Sequence, residues 1–222
     1  MVFVVWYICS AAGGTGKTEL ACALAEKAAD RGGEPVLLDA AGRLHACIAR
    51  MNADGVVTCL TDVLEGTAKL SDTLYSCPYK GILLAVASFE TPPCIMEYVS
   101  LFPELRNLAD PLIVDTGTGE EGPDPDILQD GDRVLVLAWP DENGLRQAAR
   151  RVFSLEENGA HCDLALNCVP KERHMHDRLR ILAEEITGRK PRLFILQQAQ
   201  TDKLAIKRVF QIAANDLLSG VS

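Results

Sequence analysis

Apolar residues fall in short continuous runs along this chain: Val2 to Cys9, Pro35 to Asp39, Ile82 to Ala87, Pro111 to Asp115, Arg133 to Trp139, Asp163 to Val169 and Arg192 to Leu196. The runs show no polar alternation, so neither face of such a strand expects water, the pattern of a parallel sheet covered by helices. Between most runs the spacing turns helical. Leu20, Leu24, Ala25 and Ala28 precede the stop signal Gly32-Gly33, and Leu145, Ala148, Ala149, Val152 and Phe153 precede Gly159. Repeated strand, helix, strand units predict an α/β fold: one doubly wound, mostly parallel sheet of about seven strands, with helices on both faces.

The last predicted helix runs from Asp202 to Leu218. Leu204, Ala205, Val209, Ile212, Ala213 and Leu217 share one face, with Lys203, Lys207 and Arg208 on the other. Packing on the domain is the expectation, ahead of peripheral contact with anionic lipid, which a basic amphipathic helix also suits. No linker, repeat or low-complexity stretch divides the chain, and the Pro/Gly-rich segment Gly117 to Asp126 is loop-length, so residues 1–222 read as a single domain. Ligands of open parallel sheets sit beyond the carboxyl ends of the strands, which directs attention to the residues just after each run.

The first run ends in Ser10-Ala11-Ala12-Gly13-Gly14-Thr15-Gly16-Lys17-Thr18 and passes directly into a predicted helix. Glycines let the backbone fold tightly so that several amides face one anion, and the helix N-terminus adds partial positive charge. Lys17 supplies a mobile cation for outer phosphates and Thr18 a hydroxyl for Mg²⁺. The strict GxxxxGK[ST] pattern fails only at its first position, where Ala11 stands.

The chain resembles the MinD/ParA-like P-loop ATPases, deviant Walker A proteins whose loop reads KGGxGKT. The similarity runs nearly end to end. Leu37-Leu38-Asp39 is similar to the family's second strand ending in aspartate, and Asp62-Val63-Leu64-Glu65-Gly66, with Leu70 and Leu83 to Ser88, to its "DVL.G…L…LPAS" stretch. Val114 to Gly119 resembles its "DxPxG" loop, and Leu166-Asn167 its "lN" strand end.

The resemblance implies a nucleotide-dependent dimerisation or positioning switch that binds ATP or ADP with Mg²⁺. Carried over residue by residue, Gly13, Gly14, Thr15, Gly16 and Lys17 would cradle the phosphates, with Glu19 at the position nearest the α-phosphate. Thr18 would ligate Mg²⁺, Asp39 and Asp115 would hold its waters, Gly119 would sense the γ-phosphate and Asn167 would read the adenine edge. Each position has a plainer reading too: Asp39 and Asp115 end strands, where an acid also caps a turn, and Gly119 could serve only its loop's backbone angles.

Three positions depart from the family at the nucleotide. Its signature lysine, which reaches the partner subunit's phosphates in an ATP-sandwiched dimer, is Ala12 here; its second acid, which helps position the attacking water, is Ala41; and its second hydroxyl after the lysine is Glu19. Losing a transition-state cation, a contact worth ~10³ to 10⁵ in rate, together with a water-orienting acid points to slow hydrolysis or none. Degenerate relatives similar to the TadZ/CpaE-type pilus-assembly localisation proteins act as scaffolds, so a nucleotide-independent pseudo-ATPase scaffold is the rival expectation. A small-molecule kinase or amidoligase is weaker, because no second constellation for an acceptor substrate stands out.

Composition narrows the classes further. The 222 residues carry a net charge of −9, and 48% are hydrophobic, a chain long enough to bury roughly 70 to 75% of its unfolded surface without disulfide staples. The longest apolar run is far short of a bilayer span and lacks a basic leader or small-residue cleavage site, so a cytoplasmic protein is expected. The eight cysteines show no CxxC spacing and mostly lie in apolar runs, which reads as reduced and buried. His174 and His176, two residues apart on a predicted helix, lack the further ligands of a zinc site. Residues 171–222 hold ten Lys/Arg against six Asp/Glu while the remainder is acidic, which argues against wholesale nucleic-acid binding. The basic positions Arg173, Arg178, Arg180, Arg189, Lys190, Arg192, Lys203, Lys207 and Arg208 read first as a solvated face. A homodimer formed on nucleotide binding and a protein partner are the expected associations.

Overall fold

A computed structural model of the chain describes residues 4–41, 46–79, 81–89, 95–118, 123, 127–198 and 203–219. Among these residues eight strands and seven α-helices follow one another: β1 Val5–Ser10, α1 Lys17–Asp30, β2 Val36–Ala40, α2 Ala46–Met51, α3 Leu60–Leu64, β3 Tyr75–Ser76, β4 Leu83–Val86, α4 Phe102–Leu108, β5 Leu112–Thr118, β6 Arg133–Ala138, α5 Glu142–Glu156, β7 His161–Val169, α6 Arg173–Thr187, β8 Leu193–Gln197 and α7 Lys203–Ser219. They form one sheet ordered β3-β4-β2-β5-β1-β6-β7-β8. Every neighbouring pair is parallel except β3 with β4. The seven apolar runs each supply a strand. The expected mostly parallel sheet of about seven strands is thus present, with an eighth member in β3, a two-residue antiparallel edge strand too short to leave an apolar run.

Two apolar layers cover the sheet, one on each face. Val5, Tyr7, Cys9, Leu38, Val114 and Val136 point to the first, where α4, α5 and α6 pack over them. Trp6, Ile8, Leu37, Ile113, Leu135 and Ala165 point to the second, beneath α1, α2 and α7. Successive residues of one strand thus feed opposite layers, which is why the runs are apolar throughout. α1 is buried nearly all round, through Leu20, Ala21, Cys22, Ala23, Leu24 and Ala25, because the sheet lies under it and α7 beside it. It stops where expected: the amides of Gly32 and Gly33 return to Ala29 O and Ala28 O, and Gly32 takes a φ of 88°.

Two helix faces differ from expectation. In α5 Leu155 is buried and Phe153 is exposed, since Leu145, Ala148, Val152 and Leu155 hold the stripe facing the sheet. In α7 the buried face is Phe210, Ala213, Ala214 and Leu217, whereas Leu204 and Ile212 are exposed. The helix does pack on the domain, against α1 and β8. Among the described residues no helix is long and apolar enough to cross a membrane.

Candidate functional site

Strand register assembles the site. Asp39 stands opposite Asp115 in the β2–β5 ladder and Ile8 opposite Asp115 in the β1–β5 ladder. Cross-strand neighbours share a face, so both carboxylates sit on the side covered by α1, where the loop after β1 turns into that helix. The loop is shaped by Gly14 at φ 71° and Gly16 at φ 91°, left-handed conformations that favour glycine. A Cβ on Gly16 would stand 2.7 Å from both Asn167 Nδ2 and Phe210 Cζ. Only a bare α-carbon fits there.

Polar contacts then fix the loop. Ser10 Oγ donates to Ala12 O at 2.6 Å, Lys17 Nζ donates to Ser10 Oγ at 3.1 Å, and Asn167 Nδ2 donates to Thr15 O at 2.8 Å. Lys17 is buried, and desolvation lowers its pKa against the opposing pull of Asp115. Thr18 Oγ1 donates to Asp115 Oδ2 at 2.5 Å. Gly14, Thr15, Gly16, Lys17, Thr18, Glu19 and Ala41 line an open cavity of about 340 Å³. Gly13, in the same loop, is exposed.

Asp115 is fully buried, and burial first of all raises its carboxyl to about 7; the Thr18 hydrogen bond opposes the rise. Among the described residues its Oδ1 has no hydrogen-bond partner. Asp39 accepts from Ala41 N and Cys47 N, each at 3.2 Å, so it organises the turn into α2 as well as facing Asp115. Asn167 Oδ1 accepts from Cys168 N at 2.7 Å. With Nδ2 on Thr15 O, one amide hydrogen of Asn167 is left for a ligand. Gly119 lies outside the described residues.

Glu19 carries its charge beside the loop in company. Arg50 Nε donates to Glu19 Oε2 at 2.8 Å and Arg50 Nη1 to Glu26 Oε1 at 3.1 Å. Spacing along the chain carries no sign of Arg50, Cys47 or Phe210, because each reaches the loop only through the packing of α2 or α7 on α1. The basic C-terminal positions are partly neutralised: Arg189 pairs with Glu156, Arg192 with Asp163 and Lys207 with Glu26. His176 Nε2 shares a hydrogen bond with Pro170 O, and His174 is exposed. Seven cysteines are free thiols, and Cys94 lies outside the described residues.

Solved structures share this arrangement of strands and helices. A chain of the MinC:MinD cell division complex from Aquifex aeolicus is 20% identical, with a TM-score of 0.76 over 98% of this chain and 96% of that one. The fold is that of MinD. MinD complexed with Mg-ADP from Pyrococcus horikoshii is 18% identical, with a TM-score of 0.75 over 100% of this chain and 98% of that one. A Cyanothece McdA–ATP complex is 17% identical, with a TM-score of 0.69 over 99% and 95%. No protein-family model and no curated protein matches the chain.

Proposed function

We propose that the protein binds an adenine nucleotide with Mg²⁺ at the Gly13–Thr18 loop and uses it as a MinD/ParA-like switch, setting homodimerisation or the binding of a protein partner. The observation that carries this reading is the left-handed loop closed by Gly16, with Lys17 folded back on Ser10 and the Thr18 hydroxyl on Asp115. Amides of the loop and Lys17 would hold the phosphates. Thr18, Asp39 and Asp115 would hold the metal and its waters, and Asp115 Oδ1, without a partner among the described residues, fits that role. Bound Mg²⁺ would neutralise phosphate charge. Hydrolysis is weak or absent in this reading, since Ala12 offers no cation and Ala41 no carboxylate.

Calorimetry with ATP and ADP, each with and without Mg²⁺, tests the reading. Binding that disappears in Lys17→Ala supports it. No heat from the unmodified protein at millimolar nucleotide would favour a nucleotide-independent scaffold, which the alanines at positions 12 and 41 also suit.

A further inference from the structure

α7 presents two opposed faces. Phe210, Ala213, Ala214 and Leu217 are buried, with Phe210 beside Gly16 of the phosphate loop. Ile212 stands two residues beyond Phe210, about 200° round the helix, and is 58% exposed. Next to it a groove of about 260 Å³ opens between α7 and β8, walled by Phe194, Ile195, Val209 and Ala213. β8 is the last strand of the sheet, and its one strand neighbour among the described residues is β7. Apolar surface thus lies open along the outer edge of the sheet, on the side of α7 turned away from the loop.

Charge says what covers it. Arg208 and Asp216 flank Ile212 four residues to either side, both exposed, and neither forms an ion pair among the described residues. Residues four apart follow one ridge of a helix, and at 1.5 Å per residue each charge lies about 6 Å along the axis from Ile212. This ridge is complementary to itself when reversed. Two copies of α7 packed antiparallel about Ile212 set Arg208 of each level with the partner's Asp216, whereas a parallel pair would set like charges together. An anionic membrane would meet Asp216 as a repelling charge.

We propose that a second copy of this chain docks on the α7–β8 face, forming a two-fold dimer in which Ile212 packs on the partner's Ile212 and the apolar rims of the two grooves meet beside it. Such an isologous contact uses one patch twice, which is what the reversed charges on either side of Ile212 supply. One helix and one strand per copy place it among the small, transient interfaces, below about 1,200 Å² in total, so the dimer dissociates on dilution. The association needs no nucleotide, and its fate is separate from that of the switch reading.

The test is sedimentation velocity on the full chain, in EDTA and without nucleotide, from micromolar to near-millimolar concentration. The expected result is a monomer that converts to a dimer as concentration rises and stays monomeric in Ile212→Glu. Arg208→Glu and Asp216→Arg should each raise the dissociation constant about tenfold, since symmetry counts every surface pair twice. The double variant carrying both should restore it, because each pair re-forms with its signs exchanged. All three positions are exposed, and unchanged circular dichroism shows that the variants fold. A chain that is monomeric at every concentration, a dimer that survives Ile212→Glu, or a double variant no better than the single ones overturns the proposal. So does a persistent monomer that sediments with anionic vesicles, which would assign the face to lipid.

Discussion

Arg50 Nε and Glu19 Oε2 meet at 2.8 Å, joining α2 to the first turn of α1 beside the phosphate loop. The pair supplies a countercharge to an acid that lines the loop cavity. Arg50→Ala should weaken ADP affinity about three- to tenfold, a surface-pair energy of about 1 kcal/mol. Glu19→Thr in the Arg50→Ala background should restore it, because the repelling charge is then gone. Equal weakening in both backgrounds, measured by calorimetry at one ionic strength, would show that Arg50 acts some other way.

Gly16 meets Asn167 and Phe210 through its bare α-carbon while holding a φ of 91°. Gly16→Ala should therefore cost about 1 to 3 kcal/mol in backbone strain alone and abolish nucleotide binding. Urea unfolding and calorimetry together check this. A variant as stable as the parent, with intact binding, would contradict the close approach.

Strands were legible because the apolar runs are short and alternate with longer stretches of helical spacing, the pattern of a sheet buried on both faces, and Gly13 to Thr18 was legible because its chemistry is contiguous. β3 was not, since Tyr75 and Ser76 pair only as a two-residue edge. On α7 two apolar arcs compete, and only contact with α1 and Gly16 decides that the one through Phe210 and Ala214 is buried. Arg50 and Cys47 are tertiary arrivals: α2 brings them to a site whose other members lie in the loop after β1, in the first turn of α1 and on β2, β5 and β7.

Arg106 and Asp132 form a buried bidentate pair, at 2.8 and 2.6 Å, and Asp132 also accepts from Val5 N and Gln129 N. Arg106→Ala leaves an uncompensated buried carboxylate. The expected loss is about 3 to 5 kcal/mol. Thermal unfolding should show it, with Asp132→Asn in the same chain recovering part. A loss below about 1 kcal/mol would mean that the pair merely offsets its own desolvation.

Asp115 makes stability depend on pH in an uncommon direction. Burial raises its carboxyl from an ordinary value of 3.8 to about 7. Between those values the native state binds more protons than the unfolded chain, so stability falls as pH rises, by up to about 1.4 kcal/mol per pH unit. Asp115→Asn should remove that slope in EDTA, as read from urea midpoints. An identical slope in the variant would assign it to another group.

Hydrolysis should be separable from binding, because the two missing groups lie outside the machinery that holds the phosphates. Ala12 cannot present a cation to a partner subunit's phosphates, and Ala41, at the cavity wall, cannot orient a water. Lys17, Thr18, Asp39 and Asp115 remain available for binding. Ala12→Lys with Ala41→Asp should therefore raise ATP turnover, by up to ~10³-fold if the lysine recovers the low end of a transition-state cation's effect. ADP affinity of a single subunit should change little, because neither group is expected to touch ADP there. Glu19→Thr belongs in the same series to separate repulsion at the phosphates from loss of chemistry. Brisk hydrolysis by the unmodified protein, abolished by Lys17→Ala, would show that other residues have taken over both roles.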